Sequence, residues 1–226
     1  MTIANMHIAV KLGLDKSAKL ELPAFEPEEI DLWLNDAIRK FVKTRYSGTN
    51  AKGKSFEETQ KRIDDLRSIV VFDTLTSSSS TEYTNAYTVD LPADYWFSVS
   101  EEVAIVVSGV STNPRIGVTQ VSLDEYTQKL ADPFSEHILH YSTAKPLRFI
   151  KEDTIVLTSD GNYTIPTVYL TYLKKPAEVQ VTATAVDCDL PEHTHDEIVK
   201  LAVNMMLENI EQPRYRTHLN EVNSME

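Results

Sequence analysis

Six histidines and one cysteine bound the chemistry this chain can do. His193 and His195 flank Thr194, with Glu192 and Asp196 outside them, so metal-ligating residue types crowd one short stretch. A zinc site needs three or four such side chains converging on one point. These straddle the start of a helix, where Thr194 has the spacing of a cap, and the plain reading is exposed polar residues at a helix entrance. His137 and His140 can meet on one helical turn, but no third ligand is evident. Ser142-Thr-Ala-Lys145 has the S-x-x-K spacing of some serine hydrolases. That motif requires a helix to return the lysine onto the serine, and here Pro146 and a strand pattern follow. Cys188 lacks a partner base, and there is no glycine-rich phosphate loop. No catalytic, cofactor-binding or metal residue is expected, and no cofactor.

Charge is more informative. The 226 residues carry 22 Lys and Arg against 34 Asp and Glu, a formal net charge of −12. A general nucleic-acid binder needs clustered cations, so that class is disfavoured. Residues 39–67 run the other way, with nine Lys or Arg against four Asp or Glu, a local +5 that leaves −17 elsewhere. Residues 176–199 hold Glu178, Asp187, Asp189, Glu192, Asp196 and Glu197 and no Lys or Arg. One reading is two solvated faces. The sharper one is head-to-tail complementarity between copies, with Lys40, Lys43 and Arg45 contacting a neighbouring subunit or partner, a heterologous contact that can close into a ring. One cysteine excludes an internal disulfide. No signal peptide is expected, and no stretch approaches the length of a membrane span.

The element that organises the chain is Phe25 to Tyr46. Ile30, Trp33, Leu34, Ala37, Ile38, Phe41 and Val42 fall at helical spacing on one stripe. Pro27 suits a first helical turn. Glu28, Glu29 and Asp31 at the start and Arg39, Lys40, Lys43 and Arg45 at the end complement the helix dipole. Ser55 and Glu58 have capping-box spacing and open a second helix, with Ile63 and Leu66 on its apolar edge. Thr194 and Glu197 repeat that spacing ahead of a helix apolar almost all round, which includes Ile198, Leu201, Ala202 and Met205. Such a helix is buried on more than one side.

Residues 1–24 read as an extended arm, because Ile8, Val10, Leu12 and Leu14 alternate with other residues. Between the helices the period turns to two. Strands are expected at 69–74, 86–91, 95–107, 116–121, 147–150, 154–158 and 167–174, with a low-complexity loop at 76–81. Ser122 and Glu125 have a further capping-box spacing, opening a short helix, and Asp160-Gly161 signals a hairpin. The expected class is α+β. A helical bundle is built from an N-terminal αα-hairpin and a C-terminal helix, 25–67 plus 190–212, with an inserted strand-rich sandwich or barrel-like domain at 68–189. An N-terminal arm at 1–24 and a tail at 213–226 flank them.

EEIDLWLNDAIRKFVKTRYSG, then DLPADYW, VYLTYLKKPAEV and LPEHTHDEIVKLAVNMMLENIE form an ordered set. The set resembles head–tail adaptors of short-tailed bacteriophages, the tail tubular protein A type, and most of all the ring proteins below the portal of crAss-like phages. The resemblance spans about residues 26–212. It implies a non-enzymatic virion structural protein, assembled in the host cytoplasm and placed at the head–tail junction. Its partners would be itself in a twelve-fold ring, the portal, and adjacent ring or tail proteins. DNA would pass through without specific binding, and no membrane is involved. Ile30, Trp33, Leu34, Ile38, Phe41 and the apolar residues of 198–207 would then lie in the bundle. The competing class is a β-sandwich module binding carbohydrate or a host surface, suggested by Tyr95, Trp96, Tyr163, Tyr169 and Tyr172.

Overall fold

A computed structural model describes residues 1–15, 25–47, 63–110, 114–140, 143–182 and 184–209. The chain is mixed α+β and divides into two compact units. One comprises Met1–Ile69 and Pro176–Glu226, the other Val70–Lys175.

The first unit is helical. Helix α1 spans Ile3–Asp15, α2 spans Pro27–Ser47, and a final helix spans His195–Asn209. The three pack on one another. The α2 stripe behaves as its spacing requires: Ile30, Leu34, Ala37, Ile38, Phe41 and Val42 are buried. Trp33 is half-buried at the edge, and Leu32 stands exposed beside it. On the final helix Ile198, Val199, Ala202, Val203, Met206 and Leu207 are buried, while Leu201 and Met205 are half-buried.

The extended-arm expectation is corrected for 3–15. Ile3, Met6, Val10 and Leu14 form a helical stripe that is buried, whereas Ile8 and Leu12 point outward. Val10 and Leu14 satisfy period two and helical spacing alike, and packing decides in favour of the helix. Gly13 allows a close approach here, since a Cβ at that position would lie 2.9 Å from Val203 Cγ2. The expected cap at Ser55 and Glu58 and the C-terminal tail lie outside the described residues. Residues 63–66 are helical and run into a 3-10 turn, Arg67–Ile69.

The second unit holds two sheets. β1 (Val70–Thr76), β9 (Tyr163–Lys174), β4 (Tyr95–Val107) and β5 (Arg115–Gly117) form one, in that order. The other runs β2 (Ser78–Ser79), β3 (Ala86–Asp90), β8 (Thr154–Thr158), β7 (Leu147–Lys151) and β6 (Thr119–Gln120). Part of the low-complexity loop is therefore strand, because Ser78 and Ser79 pair with Thr88 and Tyr87. Inward residues of both sheets share one core, with Val103, Ile105, Val168, Leu170 and Tyr172 from the first and Val89, Ile155 and Leu157 from the second. The opposite face of the second sheet carries Ala86, Leu147, Phe149 and Val156, covered by Tyr126 of a short helix, Tyr126–Ala131, and by Tyr83. That helix makes no side-chain cap hydrogen bond at Glu125.

Asp160-Gly161 closes no hairpin, since β8 and β9 belong to different sheets. The tight turn is real, with Gly161 at φ +88°, but it carries the chain across the core. Elsewhere a buried pair, Arg148 with Glu101, links the two sheets.

Removing Phe41 empties a buried site, so Phe41→Ala is expected to destabilise the helical unit by about 3–5 kcal/mol. Trp33→Ala should cost less, because Trp33 is only partly buried in the folded chain. Denaturant titrations followed by helical circular dichroism check both. Equal losses at the two positions would contradict the burial difference.

Candidate assembly surface

The basic end of α2 and the acidic segment 176–199 meet within a single chain. Arg39 Nη2 lies 2.9 Å from Glu178 Oε1, and Arg45 Nη2 lies 2.6 Å from Glu197 Oε2. Arg45 Nε is also 3.1 Å from Asp65 Oδ2. Asp65, only 1% exposed, takes a second partner on its other oxygen, His193 Nε2 at 2.8 Å. One buried carboxylate thus joins α2, the 63–66 helix and the entrance of the final helix.

The rest of the acidic segment acts as a strap. Asp187 Oδ1 accepts the Ile3 N–H at 2.7 Å, Glu192 accepts the Met1 ammonium at 2.9 Å, and Asp189 accepts the Ala177 N–H at 3.3 Å. Asn35 brackets Val179, donating to its carbonyl at 3.0 Å and accepting its N–H at 2.8 Å. Buried Asp31 accepts the Val181 N–H through Oδ2 and pairs with His7 Nε2 through Oδ1 at 2.7 Å. Isolated buried charges are costly, and these are held by paired ionic and backbone partners.

These contacts correct three expectations. Arg45 is buried and paired inside its own subunit. Five of the six carboxylates in the acidic segment have partners in the same chain, which removes most of the motive for reading that segment as the face of another copy. The histidines at the helix entrance are not simply exposed. His193 is tied to Asp65, and buried His195 donates through Nε2 to the Leu190 carbonyl at 2.9 Å. Thr194 donates to the Pro191 carbonyl in a 3-10 turn rather than capping by its side chain. Lys40 and Lys43, on the same helix, face solvent.

The chemistry-bearing residues elsewhere serve the fold. Among the described residues no group of three or more His, Cys, Asp or Glu could hold a metal ion. His137 is buried, and its carbonyl accepts the Tyr163 hydroxyl at 2.9 Å. Ser142 lies outside the described residues. Burial pushes the Cys188 thiol up, away from reactivity. Of the five aromatic residues that suggested a sugar surface, Tyr163 and Tyr172 are core. The Tyr172 hydroxyl donates to Asp94, and burial with that bond raises it to about 12. Tyr95 packs on Tyr172, Trp96 stacks on Phe97, and Tyr169 stacks on Phe72.

Comparison with known proteins fits a chain whose polar residues hold a scaffold together. The model for the family described as phage tail ring protein 3/4 matches residues 1–217. The chain belongs to that family. Ring protein 4/5 of Bacteroides phage crAss001 is similar as well, 24% identical over 203 residues, which cover 81% of this chain and 82% of that protein. The crAss-like ring resemblance is thereby supported, and this is a family of virion structural proteins. The match begins at residue 1, so it takes in α1, which the sequence resemblance left out.

For a phage ring protein, subunit integrity precedes assembly, and Asp65 tests it. Arg45→Met leaves Asp65 buried without its guanidinium and should cost about 3–5 kcal/mol. Adding Asp65→Leu should recover part of that loss, measured by a double-mutant cycle. Full additivity would mean the two side chains do not interact. In the β unit, burial holds the His137 imidazole below its ordinary value, opposed in part by Asp160 and Asp132. Below about pH 6.5 the unfolded chain takes up a proton that the folded ring refuses, so stability should fall as pH drops. His137→Gln should flatten that slope in thermal melts, and an unchanged slope would assign the effect to other groups.

Proposed function

We propose that this chain forms a homo-oligomeric ring at the head–tail junction, below the portal, and continues the DNA channel into the tail. The observation that carries this reading is the match of a phage tail ring family along residues 1–217. The ordered motifs add to it, through their likeness to head–tail adaptors of the tail tubular protein A type. By that likeness the ring holds twelve copies, with the helical unit as a bundle lining or bracing it and the strand-rich unit at the periphery. The subunit would assemble in the host cytoplasm and dock on the portal and on adjacent ring or tail proteins. A net charge of −12 suits a wall that DNA must pass without sticking, since like charge keeps phosphate off.

Within this reading Lys40 and Lys43 are the part of the basic window assigned to contact outside the chain, while Arg45 holds the subunit together. Exposed charge pairs contribute roughly 0–1 kcal/mol each, so these lysines set register rather than affinity. The bundle residues Ile30, Trp33, Leu34, Ile38, Phe41, Ile198, Leu201, Ala202 and Met205 support the face that carries them.

The test mixes purified protein with the portal protein of the same phage and images the product by electron microscopy. Rings seated on the portal are the expected result. Lys40→Glu with Lys43→Glu should weaken seating by on the order of tenfold, with folding unchanged, because two attractions become repulsions. Unimpaired seating would remove the lysines from the contact. No association of the parent with any portal or tail protein would sink the adaptor role.

A further inference from the structure

The outward N–H and C=O groups of an edge strand are a template on which a strand of another molecule can pair. The first sheet runs β1-β9-β4-β5, so β1 stands at one end of it, and among the described residues β1 pairs with β9 alone. Its seven residues, VVFDTLT, favour the strand conformation and include a single charge, Asp73. Val70 and Phe72 are exposed on it. A strand of this composition with a free side invites association.

The phase of the ladder fixes which backbone groups face that free side. The Ser77 N–H donates to the Pro166 carbonyl at 3.1 Å, one step beyond the Thr76–Thr167 pair. Hydrogen-bonded pairs recur at every second residue of an antiparallel ladder. Val71, Asp73 and Leu75 therefore bond to β9, and Val70, Phe72, Thr74 and Thr76 turn their N–H and C=O groups outward. The outward N–H of Thr74 is already taken, because it donates to Asp73 Oδ1 at 2.7 Å. Asp73 is half-buried and lies between Val71 and Leu75, both packed on the core. Its carboxylate stands at the rim of that core and occupies the place of a partner strand's carbonyl.

The place of Asp73 within the strand identifies the partner it excludes. Asp73 is the central residue of β1. When two copies lie β1 against β1, antiparallel and fully overlapped, Val70 faces Thr76, Phe72 faces Thr74, and Asp73 faces Asp73. The bonded pairs are then Val70 with Thr76 and Phe72 with Thr74, the residues whose backbone groups point outward, so the phase permits the pairing. The two Asp73 residues fall at a non-bonded pair, where opposed side chains come closest, and like charges directly opposite are destabilising. Each carboxylate would also surrender the Thr74 N–H and leave water against an apolar rim. We infer that Asp73 holds the β1 edge closed against β1 of a second copy. Without that charge two four-stranded sheets join as one across a twofold axis. Such a contact is isologous and ends at a dimer, so it competes with the heterologous contacts that close a ring.

The experiment compares the parent with Asp73→Thr and with the nearly isosteric Asp73→Asn, using circular dichroism to confirm the fold. Sedimentation velocity across a concentration series reads self-association. Asp73→Thr should associate more tightly than the parent by about tenfold or more, and Asp73→Asn should shift the same way. Hydrogen exchange at Phe72 and Thr74 should slow as either variant associates. A second change, Thr74→Pro, removes the outward N–H at a position where an edge strand tolerates proline. Asp73→Thr with Thr74→Pro should return association to the parental level. Association no tighter than the parent's in both Asp73 variants would overturn the inference. So would a double variant that associates as tightly as Asp73→Thr, because the contact would then lie away from the β1 edge.

Discussion

The helical unit is made from two stretches of chain separated by the whole β unit, and buried carboxylates tie them together. Asp31 holds His7 of α1 and the backbone of Val181, while Asp65 holds Arg45 of α2 and His193 at the head of the final helix. Apolar stripes alone would let three helices slide and rotate over one another at little cost, since apolar contact is non-directional. An aspartate below the surface has no such tolerance. It must meet its partners or carry the desolvation penalty alone. The ionic ties therefore fix which helix faces which and where the returning strap lies, and the stripes supply most of the stabilisation.

This changes how the charge asymmetry of the chain is understood. A +5 window and a cation-free acidic segment suggest two surfaces seeking each other across a subunit boundary. Arg39–Glu178 and Arg45–Glu197 show that much of the attraction acts inside one subunit. The separation in sequence is the loop closed by an inserted unit, and a linear reading of charge cannot distinguish that from separation between molecules. Lys40 and Lys43 remain on the solvent side of the same helix because they lie off the buried stripe defined by Ile38, Phe41 and Val42.

What the sequence disclosed follows the same line. The α2 stripe was legible because its spacing admits one geometry, and the strands at 86–90, 95–107, 147–151 and 154–158 because β-branched alternation is broken by clear turns. Helix α1 was misread because four apolar residues at even positions fit a strand, while the deciding ones, Ile3 and Met6, lie outside that set. The residues of the candidate surfaces were harder still. Arg45 and Lys43 are alike by type, but Arg45 falls on the buried stripe four residues after Phe41 and Lys43 falls off it, while the partners of Arg45, Asp65 and Glu197, come from distant parts of the sequence. Phe134 reads as an ordinary aromatic until Ser135 and His137, beside it, turn out to be the inward residues.

Assembly imposes a further constraint. Copies that each carry −12 repel when gathered into a ring, and exposed ion pairs are too weak and too readily screened to reverse that. Apolar burial must provide the affinity, so a ring subunit has to expose hydrophobic surface that a monomer would hide. Phe72, Leu123, Leu130 and Phe134 in the β unit and Ile8, Leu12 and Leu32 in the helical unit meet that requirement. Scattered singly they would need no explanation. On α1, Ile8 and Leu12 stand four residues apart and so share one helix face. The in-chain neutralisation of Glu178 and Glu197 works in the same direction, since carboxylates already paired within the subunit add less repulsion when neighbours approach.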